Sequence, residues 1–130
     1  MASFTLDAGA LIAADRGDQR FWTFQDEIDL DADVLTVPTV VLTQVWRGPG
    51  NANLVRALRG CDLEDLDPEL ARAAGVLCGR ARSYDPVDAI VVASAARRGN
   101  HIVTTDPDDL RALAAEAPGV GRILDLNDLG

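Results

Sequence analysis

The chain has 130 residues, enough for one domain of ordinary size with a real core, and its 48% hydrophobic and 25% charged composition is that of a globular protein. Its formal net charge of -9 argues against a broadly basic nucleic-acid surface, and because all twelve basic residues are arginine, any phosphate bound by a charged side chain meets a guanidinium fork. The absence of lysine excludes a phosphate-binding P-loop and a receiver domain of the usual kind. One domain spanning residues 1–130 is expected, without tandem repeats or low-complexity segments. Cys61 and Cys78 have neither C-x-x-C spacing nor a framework of pairs, and read as small buried hydrophobes. The amino terminus lacks a basic leader, Asp7 interrupts its apolar stretch, and no apolar run approaches the roughly 20 residues of a membrane span. A soluble, cytoplasmic protein with no membrane contact is the expectation.

In chain order, Ser3 to Leu6 reads as a short strand and Ala8 to Ala14 as a helix that begins once Asp7 has passed. Phe21, Trp22, Phe24 and Ile28 are spaced for an amphipathic helix over Arg20 to Ile28, with the aromatic residues as core, followed by an acidic segment from Asp29 to Asp33. Val34 to Val37 is the next strand. A helix then starts at Pro38-Thr39, carries Gln44 one turn after Val40, and ends at the breakers Gly48-Pro49-Gly50. Asn53 to Arg59 forms a further helix closed by Gly60, Cys61 to Leu66 a short edge strand, and Asp67-Pro68 opens a helix through Leu70, Ala74 and Leu77. The run Ala89 to Ala96 is apolar except for Ser94, which predicts a helix buried on most faces. His101 to Thr104 is a strand, Asp106 opens the next helix, and Arg122 to Leu126 is the last strand. Strands alternating with helices predict an α/β fold with a parallel sheet covered on both faces, whose ligands sit beyond the carboxyl ends of the strands.

The pattern Asp-Pro-x-Asp occurs twice, at Asp85-Pro86-Val87-Asp88 and at Asp106-Pro107-Asp108-Asp109. Capping alone can account for it: Asp before Pro is a common N-cap, and an acid three residues on is where a capping box places its reciprocal partner. For Asp85 the cap is the favoured reading, and for Asp109 cap and site balance. Asp88 stands before a nearly unbroken apolar run, where an ionised carboxylate needs a partner, and Asp7 follows a hydrophobic strand with no evident cap pattern. With Asp106 ending another strand, these acids converge at one sheet edge. His101, the only histidine, falls at the opposite end of its strand from Asp106 and is a poor candidate base.

Four blocks, Leu6 to Ala14, Val40 to Arg47, Val87 to Ala95 and Val103 to Leu110, resemble the signature blocks of PIN-domain ribonucleases, with VapC-type toxins the nearest likeness. They follow the family order and span almost the whole chain. The resemblance implies a three-layer α/β/α fold and RNA cleavage with Mg2+ or Mn2+ held by clustered acids. Asp7 matches the family's first acid, Asp88 its third and Asp106 its fourth, with Asp109 a nearby acidic position and Thr104 a hydroxyl residue just before the fourth acid. Gln44 stands where the second acid is usually Glu; it offers a carbonyl oxygen but no charge, which spares a one-metal site on Asp7 and Asp88 and weakens a two-metal one. Metal-assisted hydrolysis of a phosphodiester is the chemistry implied, with Arg47 and Arg16 as candidate contacts to RNA phosphates. The likeness further implies a VapB-type antitoxin as partner, and a homodimer. The competing reading is a PIN-like binding or regulatory module that has lost catalysis, suggested by Gln44 and the negative net charge.

Overall fold

A computed structural model describes residues 3–28 and 33–129. Five strands form one parallel sheet: β1 (Ser3–Leu6), β2 (Val34–Pro38), β3 (Asp62–Glu64), β4 (His101–Thr104) and β5 (Ile123–Asp125), in the spatial order β3-β2-β1-β4-β5. The chain therefore builds outward from β1 through β2 to β3, then crosses back to lay β4 on the other side of β1. That reversal puts the topological switch point between β1 and β4, where a crevice opens beyond the strand ends. In register, Thr5 lies beside Ile102 and Leu6 beside Val103. The Asp7 N–H donates to the Val103 carbonyl at 3.3 Å, fixing how the two strands end.

Helices cover both faces, as the alternating pattern predicts. On one side α1 (Ala8–Asp15), α2 (Gln19–Glu27), α3 (Leu42–Val45) and α4 (Ala52–Arg59) pack around α1; on the other lie α5 (Pro68–Ala81), α6 (Pro86–Arg98) and α7 (Asp108–Ala115). The core between them includes Leu6, Leu11, Phe21, Val37, Leu54, Val91 and Ile102, all fully or almost fully buried. Each such side chain contributes about 1.5–3 kcal/mol by leaving water. Residues Ala89 to Ala95 of α6 are all buried, Ser94 included, so this helix is embedded as its composition predicts. Its first residues, the cap Asp85 and Pro86, are exposed, and burial sets in from Val87 and Asp88 onward.

Several expectations need correction. The helix expected from Pro38 to Trp46 is a 3-10 turn over Thr39–Val41 followed by one α-turn, and it ends at Val45, before the Gly-Pro-Gly segment. Arg47 supplies the stop, its guanidinium donating to the carbonyls of Thr43, Gln44 and Trp46. Cys61 and Cys78 are only partly buried. The aromatic trio is core as expected, with the Arg56 guanidinium 3.7 Å over the Trp22 ring. Of the acidic segment expected after α2, residues 29–32 lie outside those described. Among the described residues no helix is long and apolar enough to cross a membrane.

Candidate active site

Asp7 is the centre of the candidate site, and its conformation is over-determined. It is the N-cap of α1, its Oδ1 accepting from the Ala10 N–H at 2.9 Å, a role the sequence pattern did not reveal. Its Oδ2 accepts from the Thr104 hydroxyl at 2.5 Å, and the same hydroxyl oxygen accepts from the Asp106 N–H at 3.0 Å. Thr104 thus ties the first acid to the loop that carries the fourth. Asp7 is 7% exposed, and burial pushes its carboxyl above the usual range, against the opposing hydrogen bonds of Thr104, Ala10 and Gly9 and with the charge of Asp106 adding to the rise. Gly9 lets α1 start this close: a Cβ there would sit 2.5 Å from Thr105 Oγ1 and 3.4 Å from Asp7 Oδ1.

The α6 terminus brings the next acids. Asp85 caps this helix as expected, accepting from the Asp88 N–H at 3.0 Å, and Pro86 follows at the first helical position. The capping box is not closed by Asp88, because the Asp85 N–H goes to Ser83 Oγ at 3.2 Å. Ser83 went unnoticed in the sequence, although a Ser two residues before the capping Asp is the local signal for it. The Asp88 carboxyl is left half-buried and is pushed up to about 7, by burial first and then by the charges of Asp85, Asp7 and Asp109. Among the described residues no arginine forms an ion pair with it.

The second Asp-Pro-x-Asp pattern behaves differently. Helix α7 begins at Asp108, with Pro107 in the cap position and no side-chain cap, so Asp106 does not open the helix. With Pro107 already in the helical region, the first turn closes from its carbonyl to the Leu110 N–H, and the helix starts one residue later than expected. Asp106 and Asp109 are exposed, and the neighbouring Asp106 raises the Asp109 carboxyl above its ordinary value, with burial a lesser cause. Asp7, Asp88, Asp85, Asp106 and Asp109 therefore feel one another's charge at one sheet edge. Among the described residues Gln44 makes no side-chain hydrogen bond to them: it is exposed, and its main-chain carbonyl accepts from Arg47. Arg16 is exposed and lines a groove of about 370 Å³ with Gly9, Thr105 and Asn127, next to Asp7. His101 is far from the acids in register and its Nδ1 accepts from the Arg122 N–H. The Cys61 thiol is pushed up to about 12 by burial and by Asp62, which makes it a poor nucleophile.

The donor set is all oxygen, which suits a hard cation. Among the described residues no group of three or more His, Cys, Asp or Glu side chains is close enough to hold an ion. A preformed cage of the Ca2+ kind is therefore not built here. A cation that keeps its waters and needs one or two carboxylates plus a substrate phosphate fits the pair Asp7 and Asp88, where negative charge is in excess.

Comparison with known proteins bears on the family and the fold. The family model of the PIN domain matches residues 4–116. The fold is similar to that of VapBC2 from Rickettsia felis, solved bound to a DNA fragment from its promoter, with a TM-score of 0.71, 12% identity, and 95% of this chain and 97% of that chain covered. It is also similar to DNA-bound VapBC from Salmonella typhimurium, with a TM-score of 0.69 at 16% identity, and to FitAcB from Neisseria gonorrhoeae, with 0.68 at 14%; each covers 97% of this chain and 99% of the other. At these identities the likeness is one of fold. No curated protein matches the chain by sequence.

Proposed function

The chain belongs to the PIN-domain family, and from that premise we propose that it is a Mg2+-dependent endoribonuclease, the toxin of a toxin–antitoxin pair. The observation that carries the reading is the Asp7–Asp88 pair: two acids at the switch point, both raised first by burial, with no ion pair to an arginine among the described residues. Asp7 and Asp88 would hold Mg2+, or Mn2+ in its place, with Asp106 as a further ligand. When bound, the cation would lower the pKa of a water and offset charge building on the phosphate. Thr104 holds the Asp7 carboxylate in one orientation, which keeps both oxygens from rotating away. Asp106 and Asp109 would accept hydrogen bonds from the attacking water and orient it. Arg16, which makes no ion pair among the described residues, would take an RNA phosphate beside Asp7. Arg47 is less suited to that task, since its guanidinium is already engaged with its own helix end.

The solved relatives of similar fold are VapBC and FitAcB assemblies, which supports a VapB-type antitoxin as partner. A net charge of -9 favours an arginine-bearing partner segment at the acidic edge. The homodimer in this reading would cover the exposed apolar face formed by Leu42, Trp46, Leu58 and Leu63, and sedimentation of the purified chain measures it. The domain is taken to span residues 1–130.

Incubating the purified, antitoxin-free protein with total RNA and Mg2+ or Mn2+ tests the activity. Cleavage by the parent that persists unchanged in Asp7→Ala and Asp88→Ala contradicts the assigned residues. Gln44, exposed and uncharged in place of an acid, favours a second reading: a binding or regulatory module without catalysis. No cleavage of any RNA with either metal supports that second reading.

A further inference from the structure

Tyr84 is 98% exposed, the most solvent-accessible of the large hydrophobic side chains among the described residues, and it immediately precedes Asp85 at the lip of the acid cluster. Its position is the one before the N-cap of α6. A hydrophobic residue there ordinarily packs back onto the fourth residue of the helix as a staple. That residue is Ala89, which is fully buried, and Tyr84 does not cover it. The loop instead holds the ring outward. Arg82 ends α5 at φ 54° and ψ 40°, a left-handed conformation in which glycine is the usual residue. The Ser83 N–H is tied to the Cys78 carbonyl at 3.0 Å, and Ser83 Oγ to the Asp85 N–H. Arg82 is exposed, makes no ion pair or side-chain hydrogen bond among the described residues, and lines with Cys78, Gly79, Ser83 and Tyr84 a depression of about 550 Å³. An arginine in a glycine position carries a conformational cost that glycine would not, and what it adds is a free guanidinium beside a free aromatic ring.

We infer that this loop is a nucleotide platform for single-stranded RNA, with a base stacked on the Tyr84 ring and a phosphate met by Arg82. Stacking on an aromatic face tolerates any base, because every base has a π-face, and the guanidinium gives charge to a strand that an otherwise acidic protein would repel. The platform adjoins Asp85 and Asp88, so a strand held on it is delivered to the acids. The inference rests on the endoribonuclease reading, but binding and cleavage are measured separately so that the two can fail separately.

The test is fluorescence anisotropy with a short labelled single-stranded RNA of random sequence, with Ca2+ in place of Mg2+, together with cleavage kinetics in Mg2+. Tyr84→Ala is expected to weaken binding about 5- to 100-fold, whereas Tyr84→Phe, which keeps the stacking face, stays within about 3-fold of the parent. Arg82→Gly relieves the left-handed strain, so its thermal stability should not fall; it is nevertheless expected to weaken binding and to reduce the salt dependence of log Kd by about 0.7, the share of one phosphate contact on a single strand. In cleavage both losses appear in KM rather than kcat. Equal affinity for Tyr84→Ala and the parent, equal weakness of Tyr84→Phe and Tyr84→Ala, or no RNA binding by the parent overturns the platform. A parent that cleaves no RNA yet shows the expected ranking in binding overturns the nuclease reading and leaves the platform standing.

Discussion

Asp7 and Glu64 are buried to the same degree, 7% and 6% exposed, and both stand at the carboxyl ends of strands in one sheet. Their electrostatics are opposite. Burial pushes Glu64 up, but the neighbouring Ser94 hydroxyl and the guanidinium groups of Arg98 and Arg97 outweigh it and hold the carboxyl below its ordinary value. Arg97 also donates to Asp67, the cap of α5, so this edge of the molecule carries an ion-pair network among the chain's own residues, centred on Glu64 Oε2. At the switch point, among the described residues, no arginine forms an ion pair with Asp7 or Asp88. Asp7 and Asp88 are left with raised values, and the hydrogen bonds to Asp7 from Ala10 and Thr104 fix its orientation without neutralising its charge. The same fold thus pairs one buried acid internally and leaves another without an ion pair among the described residues. A buried charge without a partner is costly, and such sites are where function is sought first.

Removing an acid from the open cluster should have the largest effect on function. Asp88→Ala is expected to lower RNA cleavage at least about 100-fold, since loss of a ligand should exceed the 10- to 100-fold typical of the groups that support ligands. At the Glu64 edge the effect falls on stability instead. The double variant Arg97→Ala/Arg98→Ala leaves Glu64 buried and unpaired, and urea unfolding should show a loss of about 2–4 kcal/mol, tempered by the partial exposure of both arginines, with Mg2+ affinity unchanged.

The pH dependence separates the two regions by sign. Asp88 is raised to about 7 in the folded chain, against about 3.9 when unfolded, so the folded state binds the proton more tightly. Its contribution to stability is complete below about pH 4 and is lost as pH rises through about 7, and Asp7 acts in the same direction. Thermal scans of the metal-free protein should therefore show Tm falling across that window. Because Asp88 is only half-buried, screening limits the drop to about 3–6 °C, and Asp88→Asn should flatten it. Glu64 and Asp67, whose values are lowered, contribute stability above about pH 4 that is lost as pH falls further. The smallest effect is expected from Gln44→Glu. Its side chain is exposed and bonded to none of the acids, so calorimetry should find Mg2+ affinity raised only a few-fold, about 2- to 5-fold, by the added charge acting through solvent.

Much of this was legible in the residues because local and tertiary preferences agree. The apolar runs at Ser3–Leu6 and His101–Thr104 give strands where structure has them, and the apolar run after Asp88 gives the embedded helix that brings it to the edge. What could not be read was the division of hydrogen bonds. The twin Asp-Pro-x-Asp patterns look alike, yet Asp85 caps its helix and Asp106 does not, because the Asp106 N–H is drawn to Thr104, a residue whose hydroxyl is in turn fixed by Asp7. That chain of contacts spans β1 and β4 and has no signature within either segment. Asp7 as a cap has no local mark, because neither a Pro nor an acid three residues on follows it in Ala8-Gly9-Ala10. Arg47 illustrates a third case, in which a cation suited by type to a phosphate is used by its own backbone.

The most direct test of the central claim compares the parent and Asp88→Ala on total RNA in Mg2+, with EDTA as the control. The account predicts metal-dependent cleavage by the parent and a rate at least about 100-fold lower in the variant, with the fold retained by circular dichroism. Cleavage by the variant at the parent's rate, or cleavage that survives EDTA, would contradict it.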